Sequence, residues 1–514
     1  MTDWLTTILI FLPVAGGLVC MLLPLDRFAI GSLALLVALA EVGFWIESVI
    51  RFDFGKGLQF EQQATWFTDF DVSYHVGLFG FSLWLVGLTA VVATAAIAYA
   101  FWTGRDRPRA YYPLMLMLLG ATVGVFSSQD LLLFYVFFEA MLIPLYVLVG
   151  VWGGAGRLRA TFLFIAYTMA GSLLMLVAII ALGLSQGTFD LLESGTSDSA
   201  WIFLGFVAAF AVKAPLFPFH AWLPEAYREA PPEVAAVLSG VISKAAAFGF
   251  LRIAIPKFPG PTDDFRVVLL TLGAVGLVYG SLLAFRAPDI RGVIAYSSLA
   301  QMGLITLGLF AGNDLGYDGA VLQMVVHGLV SATLFLLAGG IERRAATGEL
   351  ILLGGMARGR PILATILMTT GVIALAVPGS GAFAGEFLIL AGAFREHWLY
   401  AVVGAAAIVL AAMYMLRLIS AVLHRERGSA VSDAALDLRP AELCFLVPLV
   451  AALLALSVWP AAVSEHSFPG DRASLAVDTN FGVPLALTEA IEKCNQLGLE
   501  GEALFGCVRR ELES

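Results

Sequence analysis

Five ionisable side chains stand in segments of the sequence that are otherwise apolar enough to cross a membrane. They are Glu139, at the centre of LLLFYVFFEAMLIPLYVLVGVW (131–152), Lys213, Lys244, His327 and Glu386. Each is costly near the middle of a bilayer and must therefore face a partner or water inside a helical bundle. The set contains both signs of charge and a histidine, which titrates near neutral pH. We predict that these residues form a buried proton relay.

Each charge also has a purely structural interpretation. Lys213 and Lys244 could form interior salt bridges or extend their ammonium groups toward the membrane surface. His220, one turn beyond Pro218, could line the same water path as Lys213 or only hydrogen-bond a carbonyl freed by the proline, so it is the weaker candidate. His75 precedes the third predicted span and is expected to be a surface residue. The relay prediction therefore depends on the residues as a set.

The composition requires that a membrane-spanning bundle position these residues. The 514 residues are 60% hydrophobic and 13% charged, with a mean hydropathy of +0.89. No soluble protein of this length has such a balance, so we predict an all-α polytopic membrane protein. The formal net charge of −10 gives no support to a nucleic-acid partner.

Stretches long enough to cross the ~30 Å hydrocarbon core number about fourteen. They are 5–24, 28–46, 77–102, 112–127, 130–152, 160–184, 201–222, 233–256, 267–285, 290–311, 318–341, 362–393, 398–423 and 441–463. Loops after odd-numbered spans hold about 17 lysines and arginines and the other loops about 6, so the positive-inside rule places both termini on the extracytoplasmic side. This arrangement puts the chain in contact with the lipid bilayer over most of its length.

Proline interrupts two of the predicted spans beside their charged residues. Pro215 follows Lys213 in the seventh span, and Pro378 precedes Glu386 in the twelfth. Broken helices free backbone carbonyls and leave room for water, and paired breaks are typical of ion-translocation sites. Because five spans separate the breaks, we predict two inverted five-helix repeats. Kinked packing helices without transport are the alternative.

The spans and repeats suggest a division of the chain into five parts. The parts are spans 1–3 with an extracytoplasmic loop (1–111), a first antiporter-like repeat of spans 4–8 (112–256), a second, inverted repeat of spans 9–13 (257–425), the last span (426–463) and a polar tail (464–514). Cys494 and Cys507 lie in the tail, where an oxidising compartment would allow a disulfide; two unpaired thiols are the alternative.

No sequence motif indicates redox or nucleotide chemistry in this chain. The four cysteines have no metal-binding spacing, and no phosphate-binding loop, flavin fingerprint or haem attachment site is present. We therefore predict no metal and no cofactor within the chain.

Four stretches of the sequence resemble one family of membrane proteins. They are DLLLFYVFFEAMLIPLYVLVGVWGG (130–154), VKAPLFPFHAWLPEAYREAP (212–231), RAPDIRGVIAYSSLAQMG (286–303) and LQMVVHGLVSATLFLLAGGI (322–341). They look like the antiporter-like subunits of respiratory complex I, an NADH:quinone oxidoreductase, and of related cation/proton antiporters and membrane-bound hydrogenases. The resemblance covers roughly residues 70–425. Within the family, Glu386 in AGEFLIL resembles the subunit M type, known in mitochondria as subunit 4.

The resemblance implies a role for each relay residue. Glu139 matches the fifth-span glutamate, Lys213 the seventh-span lysine paired with it, Lys244 the connecting lysine, His327 the eleventh-span histidine and Glu386 the terminal acid. Weakening the pair between glutamate and lysine would favour release of the lysine's proton toward the next lysine.

The resemblance also implies the setting of the chain. It would be a proton-pumping subunit in a bacterial inner membrane, with other membrane-arm subunits as partners, including two further antiporter-like subunits. Quinone, FMN and iron–sulfur clusters would belong to partner subunits. A subunit of a membrane-bound hydrogenase or a multisubunit Na⁺/H⁺ antiporter is the alternative within transport. A scaffold whose buried charges only specify helix packing is the alternative outside it.

Three positions depart from the family pattern. Gln301 and Tyr227 stand where relatives often have histidine, and Phe79 stands where an aspartate is common. Because glutamine does not titrate, either a relay through position 301 passes through water or the histidine is dispensable.

Overall fold

The computed structural model describes residues 4–68, 71–432 and 435–468. Cys494 and Cys507 lie outside the described residues, so their disulfide stays a prediction. Within the described ranges the chain forms long helices and one β-hairpin. In chain order the elements are α1 (Leu5–Leu22), α2 (Arg27–Arg51), β1 (Gln59–Phe67), β2 (Val72–Leu78), α3 (Gly80–Thr103), α4 (Pro108–Ser127), α5 (Leu131–Ala140), α6 (Leu142–Trp152), α7 (Arg157–Gln186), α8 (Ala200–Lys213), α9 (Trp222–Glu229), α10 (Pro232–Val237), the π-helix π1 (Leu238–Ile242), α11 (Ser243–Gly249), π2 (Phe250–Ala254), α12 (Ile255–Lys257), α13 (Pro259–Arg286), α14 (Ile290–Phe310), α15 (Asp314–Ala345), α16 (Pro361–Ala374), α17 (Gly381–Ile419), π3 (Ser420–His424), α18 (Pro440–Val458) and α19 (Ala461–Ser464).

The predicted helical membrane fold is confirmed. In the described part of the chain, 12 helical segments are long and apolar enough to cross a membrane, and two shorter apolar helices, α8 and α16, lie in the predicted seventh and twelfth spans. The segment Gly381–His424 spans 44 residues and consists of two helical parts that meet at a kink, His397, where φ is −144° and ψ is 72°. The count of fourteen spans, the inverted repeats and the five-part division stay predictions.

Both predicted helix breaks are present. Helix α8 ends at Lys213, and the chain continues without regular helix until α9 begins at Trp222. Helix α16 ends at Ala374, and α17 begins at Gly381. Proline in each gap cannot donate a backbone hydrogen bond, so neither helix continues across it. The breaks lie beside the charged residues that the sequence analysis selected.

A β-hairpin between α2 and α3 departs from the all-α prediction. Strands β1 and β2 pair antiparallel, with Gln63 opposite His75 and Gln59 opposite Leu78. The strands are too short and polar to cross a membrane, so a search for apolar spans passes over them. The hairpin follows the second span and therefore lies at the membrane face opposite the basic loops.

Two segments at the centre of the bundle have no face for lipid. The apolar windows of Pro232–Lys257 and Asp314–Ala345 are 100% buried. Polar groups on such segments must find partners inside the protein, because no water or headgroup region reaches them. These two segments carry Lys244 and His327.

Helices α13 and α14 cross closely because glycine faces glycine. A Cβ atom added to Gly303 would lie 2.5 Å from the carbonyl oxygen of Gly273 and 2.7 Å from the backbone nitrogen of Leu277. Small residues at such crossings let membrane helices make close van der Waals contact. Gln301 lies two residues before Gly303, so the crossing also fixes the position of that side chain.

Gly303→Ala is expected to lower the free energy of unfolding by about 1–3 kcal/mol, because the added methyl group meets backbone atoms that cannot rotate away. Gly43→Ala in α2 is the matched control, since no atom lies within 4 Å of its added Cβ. That control should be neutral or slightly stabilising, because alanine favours helix. Thermal unfolding in detergent measures both, and an unchanged melting temperature for Gly303→Ala would contradict the tight crossing.

Candidate proton-transfer site

Lys244 and His327 are in direct contact inside the bundle. The Nζ atom of Lys244 donates to the carbonyl oxygen of Ser239 at 2.7 Å and lies 3.1 Å from Nδ1 of His327. The lysine side chain is fully buried and that of the histidine is buried. An ammonium can only donate, so it pairs with a ring nitrogen that carries no proton. Lysine and histidine are thus placed as proton donor and acceptor.

Irregular helix surrounds Lys244. The π-helical turns π1 and π2 flank the short helix α11, which carries the lysine. Single π-helical turns occur frequently at functional sites in membrane and soluble proteins. The irregular turn π1 contains Ser239, whose backbone carbonyl accepts the hydrogen bond from Lys244.

Three serines connect the helices beside this pair. The hydroxyl oxygen of Ser239 lies 2.8 Å from that of Ser298 and 2.5 Å from that of Ser331. These two contacts join π1 to α14 and to α15. The hydroxyl of Tyr227 donates to the carbonyl oxygen of Leu238 at 3.4 Å. Tyr227 therefore supplies a buried hydroxyl beside the serines, where the family pattern often has histidine. Hydroxyl groups both donate and accept, so the cluster can carry hydrogen bonds between helices.

Glu386 is hydrogen-bonded by Gln301, which is itself hydrogen-bonded by Gln323. The Nε2 atom of Gln301 donates to Oε1 of Glu386 at 3.0 Å, and Oε1 of Gln301 accepts from Nε2 of Gln323 at 2.7 Å. The other carboxyl oxygen, Oε2, is buried without a hydrogen-bond partner. Gln323 was not selected from the sequence, although it lies four residues before His327 and shares its helix face.

A small cavity joins His327 to Glu386. It encloses about 20 Å³ of free space, enough for one water molecule. Gln301, Ser331 and Tyr414 also line it. A water molecule in this cavity would find polar partners on both sides and so give a route for a proton between two groups that do not touch.

Lys213 is buried at the end of α8, where the seventh span breaks. Its Nζ atom donates to the carbonyl oxygen of Phe138 at 2.9 Å and lies 3.5 Å from the centroid of the Phe138 ring, a cation–π contact. The indole Nε1 of Trp222 donates to the carbonyl oxygen of Val212 at 2.9 Å. The ammonium of Lys213 therefore lies where the helix ends, and Trp222 donates to the carbonyl of the preceding residue, Val212.

Glu139 follows Phe138 along α5 but does not contact Lys213 in the predicted way. Its Oε1 is buried without a hydrogen-bond partner, and the ammonium is directed at the Phe138 carbonyl instead. The predicted pair is thus not a direct contact in the structure. Glu139 also lines a groove of about 1120 Å³ between α5, α6 and α7, whose walls include the exposed side chains of Ile143 and Phe162.

His220 packs against aromatic rings. Its ring centroid lies 5.7 Å from that of Phe217 and 5.2 Å from that of Tyr279, and its Nδ1 is buried without a hydrogen-bond partner. Within the described residues it neither binds a freed carbonyl through Nδ1 nor contacts Lys213. The sequence prediction for His220 is therefore the least supported of the set.

His75 is not the surface residue that its position before the third span predicts. It is only 2% exposed. Its Nδ1 lies 2.5 Å from Oδ2 of Asp190, and its Nε2 lies 2.8 Å from Oε1 of Glu61. The reason for the error is that Asp190 stands 115 residues away in the chain, in the loop after α7. No local pattern reveals that this loop covers the hairpin.

The two carboxylates set the charge of His75. Burial lowers the pKa of His75, but Asp190 and Glu61 outweigh it and raise that pKa above its ordinary value. Burial likewise raises the pKa of Asp190, but the hydrogen bond and charge of His75 outweigh it and hold that pKa below its ordinary value. The pair is therefore stable as imidazolium and carboxylate.

Glu41 is a buried acid that the sequence analysis did not select. It lies in α2, fully buried, and both carboxyl oxygens are without a hydrogen-bond partner. Helix α2 packs mainly against α1, α3 and α4, which carry none of the five predicted relay residues. Glu41 could have been found from the sequence in the same way as Glu139, because each is an acid within an apolar segment.

The predicted residues thus form two groups. Lys244, His327 and Glu386 are joined by one contact and one cavity, whereas Lys213 and Glu139 lie on either side of Phe138. Across the ranges that the structure describes, no group of three or more His, Cys, Asp or Glu side chains could hold a metal ion. The chemistry that the first group supports is transfer of a proton.

Comparison with known proteins places this geometry in a family. Residues 128–413 match the family model described as NADH:quinone oxidoreductase/Mrp antiporter, TM. Subunit M of the NADH-quinone oxidoreductase of Rickettsia prowazekii is 34% identical over 473 residues, which cover 89% of this chain and 96% of that protein.

Solved structures share the fold. A chain of respiratory complex I from Thermus thermophilus, with bound NADH, matches with a TM-score of 0.83 at 32% identity, covering 91% of this chain and 99% of that one. A chain of the Mrp complex from a Dietzia species matches with a TM-score of 0.82 at 20% identity, over 92% and 98% of the two chains. At 20% identity the second likeness shows the fold alone.

His75→Gln is expected to destabilise the chain by about 1.5–3 kcal/mol, the range for hydrogen bonds to charged groups. The raised pKa of His75 gives stability that is present below about pH 6.5 and is lost as pH rises through the raised value. The lowered pKa of Asp190 gives stability that is present above about pH 3.9 and is lost as pH falls through the lowered value.

The wild-type advantage in melting temperature should therefore be largest between about pH 4 and about pH 6.5 and shrink toward alkaline pH. Thermal unfolding of both proteins across this range measures it. A difference that does not change with pH would contradict the assignment of charge to His75.

Proposed function

The chain belongs to the NADH:quinone oxidoreductase/Mrp antiporter membrane family, and from that premise we propose that it is a proton-translocating membrane-arm subunit of an NADH:quinone oxidoreductase. The observation that carries the proposal is the contact of 3.1 Å between Nζ of Lys244 and Nδ1 of His327, both buried within the bundle. A fully buried lysine beside a histidine is costly for a scaffold but useful for moving a proton.

The relay begins, in this proposal, at Glu139 and Lys213. An ionised Glu139 stabilises the ammonium of Lys213 by Coulomb attraction, and neutralising the glutamate removes that stabilisation. The Phe138 carbonyl and ring hold the ammonium in place meanwhile. Because Coulomb attraction strengthens as two charges approach, a movement of α5 toward or away from α8 changes the stabilisation of the Lys213 ammonium.

The second step passes the proton between Lys244 and His327. The ammonium gives a proton to Nδ1 of the neutral imidazole, and Nε2 of the imidazolium then releases one toward the cavity. The Ser239 carbonyl keeps Lys244 aligned during the transfer. A positioned base of this kind matches its proton affinity to the task through burial and neighbours.

Glu386 is the terminal acceptor of the relay. Its Oε1 accepts from Gln301, which leaves the buried Oε2 free of hydrogen bonds. The cavity provides the path from His327 to this carboxyl group. Gln301 orients the acceptor without taking up a proton itself, which answers the question raised by the missing histidine.

The energy for translocation comes, in this proposal, from quinone reduction elsewhere in the complex. FMN, iron–sulfur clusters and quinone belong to partner subunits, and two further antiporter-like subunits stand among the membrane-arm partners. The similar solved chains are parts of multisubunit complexes. We place the chain in a bacterial inner membrane with both termini outside, and we expect no independent catalytic activity.

Lys244→Met is expected to abolish proton translocation while the complex still assembles. A positioned proton-transfer group contributes about 100-fold or more to rate, so coupled electron transfer should fall with pumping. Lys56→Met is the matched control, because Lys56 has 73% of its side chain exposed. Complex assembly, NADH oxidation and proton uptake are measured on the same proteoliposomes.

The three readouts separate the competing functions. A scaffold would lose assembly in Lys244→Met, because an important packing charge is gone. Sodium-dependent transport without NADH oxidation in the wild type would favour the antiporter alternative. Normal electron transfer with an unchanged proton yield in Lys244→Met would refute the relay.

A further inference from the structure

His75 connects the buried interior to water at one membrane face. Its partner on one side, Asp190, has 3% of its side chain exposed, whereas its partner on the other side, Glu61, has 47% exposed. Both ring nitrogens are engaged, at 2.5 Å and 2.8 Å. The histidine therefore connects a buried carboxylate to one that reaches solvent.

More polar groups, from β1, β2 and the start of α5, lie close to Asp190. Asp130 accepts from the backbone nitrogens of Leu132 and Leu133 at the start of α5 and from that of Ser73 on β2. Burial raises the pKa of Asp130 to about 6, although these three bonds lower it. Gln63 on β1 donates to Oδ2 of Asp190 at 3.4 Å.

Two buried cations complete the surroundings of His75. Arg252 donates to Oε1 of Gln129 at 2.8 Å, and its guanidinium lies 4.9 Å from the centroid of the Phe79 ring. Lys257 donates to the carbonyl oxygen of Ser194. Phe79 thus replaces the common aspartate with a ring that holds a cation. With His75 protonated, three cations attract the carboxylate of Asp190.

The cluster continues the segment that carries the relay. Arg252 and Lys257 belong to the same buried segment as Lys244, and eight residues, or about 12 Å of helix, separate Lys244 from Arg252. The hairpin, the start of α5, the loop after α7 and the end of α12 all follow even-numbered spans. The cluster therefore lies opposite the basic loops, at the face that the positive-inside rule places outside.

We propose that Asp190, His75 and Glu61 form the group through which the relay exchanges protons with water at the extracytoplasmic face. This inference rests on the proposed function. The cluster is reached from the Lys244 end of the relay, at the opposite end from Glu386. Asp190 receives the proton on the buried side, His75 transfers it, and Glu61 is the exit group.

The transfer balances without any other reactant. The step starts from the imidazolium of His75 and the carboxylate of Asp190. A proton that arrives on the buried side at Asp190 replaces the one that the imidazolium loses from Nε2 to Oε1 of Glu61. Glu61 then releases that proton to water. One proton enters, one leaves and no electron moves.

A purely structural role is the competing explanation, since the same contacts fasten the hairpin to the loop after α7. Glu61→Gln separates the two. The amide keeps the size of the side chain and can still donate or accept a hydrogen bond, but it cannot carry a proton to water. Glu193→Gln is the matched control, because Glu193 is exposed in the same loop as Asp190.

The experiment uses the intact complex in proteoliposomes, with assembly, NADH oxidation and proton release measured together. Glu61→Gln should assemble normally and release protons about 10-fold or more slowly, whereas Glu193→Gln should match the wild type. High concentrations of imidazole buffer inside the vesicles should restore release in Glu61→Gln, because the extracytoplasmic face of the complexes that oxidise external NADH lies inside and a mobile base there can take the proton from His75. A fastening role would not respond to buffer.

The outcomes distinguish this inference from the proposed function. Slow, buffer-rescued release in Glu61→Gln together with loss of pumping in Lys244→Met supports both. Normal release in Glu61→Gln with loss of pumping in Lys244→Met overturns the exit group and leaves the relay intact. Slow release that buffer does not restore assigns Glu61 to the fold and overturns the exit group. Normal pumping in both variants overturns the exit group and the relay together.

Discussion

The burial of the Lys244 ammonium is the constraint on which the rest of the structure depends. A charged amine removed from water needs hydrogen-bond acceptors, and a regular helix in a bundle offers almost none. The Ser239 carbonyl and the His327 ring supply them here. These acceptors come from two segments that are buried on every side, so the centre of the bundle is built around the polar contact.

Each charged residue of the relay stands beside an irregularity of the backbone. Lys213 ends α8, Lys244 lies between two π-helical turns, Glu139 lies one residue before the end of α5, and Glu386 lies five residues after α17 begins. The physical reason is shared. An unbroken helix uses its carbonyls internally, so only an irregular helix has backbone groups or space to spare for an ion.

The sequence predicts those features that depend on neighbouring residues. The spans follow from apolar length and the two breaks from proline, and both are local properties. The surroundings of His75 were not predictable, because its partner Asp190 comes from a distant loop. The sequence does not show the direction of a side chain either. The family resemblance implies that Glu139 pairs with Lys213, but in the structure the two side chains are not in contact. At position 301 the sequence departs from the family pattern, yet Gln301 makes a polar contact with Glu386.

The direction of the amide chain explains why glutamine suits position 301. Gln323 donates to Gln301, and Gln301 donates to Glu386, so both amide dipoles point their positive ends toward the carboxyl group. Aligned donors strengthen one another in a low-dielectric interior and fix the orientation of the carboxyl group. A histidine at this position could take the proton for itself and compete with Glu386 as the acceptor. Glutamine keeps the orientation and the dipole but cannot hold the proton, so Glu386 remains the titratable group at this end of the cavity.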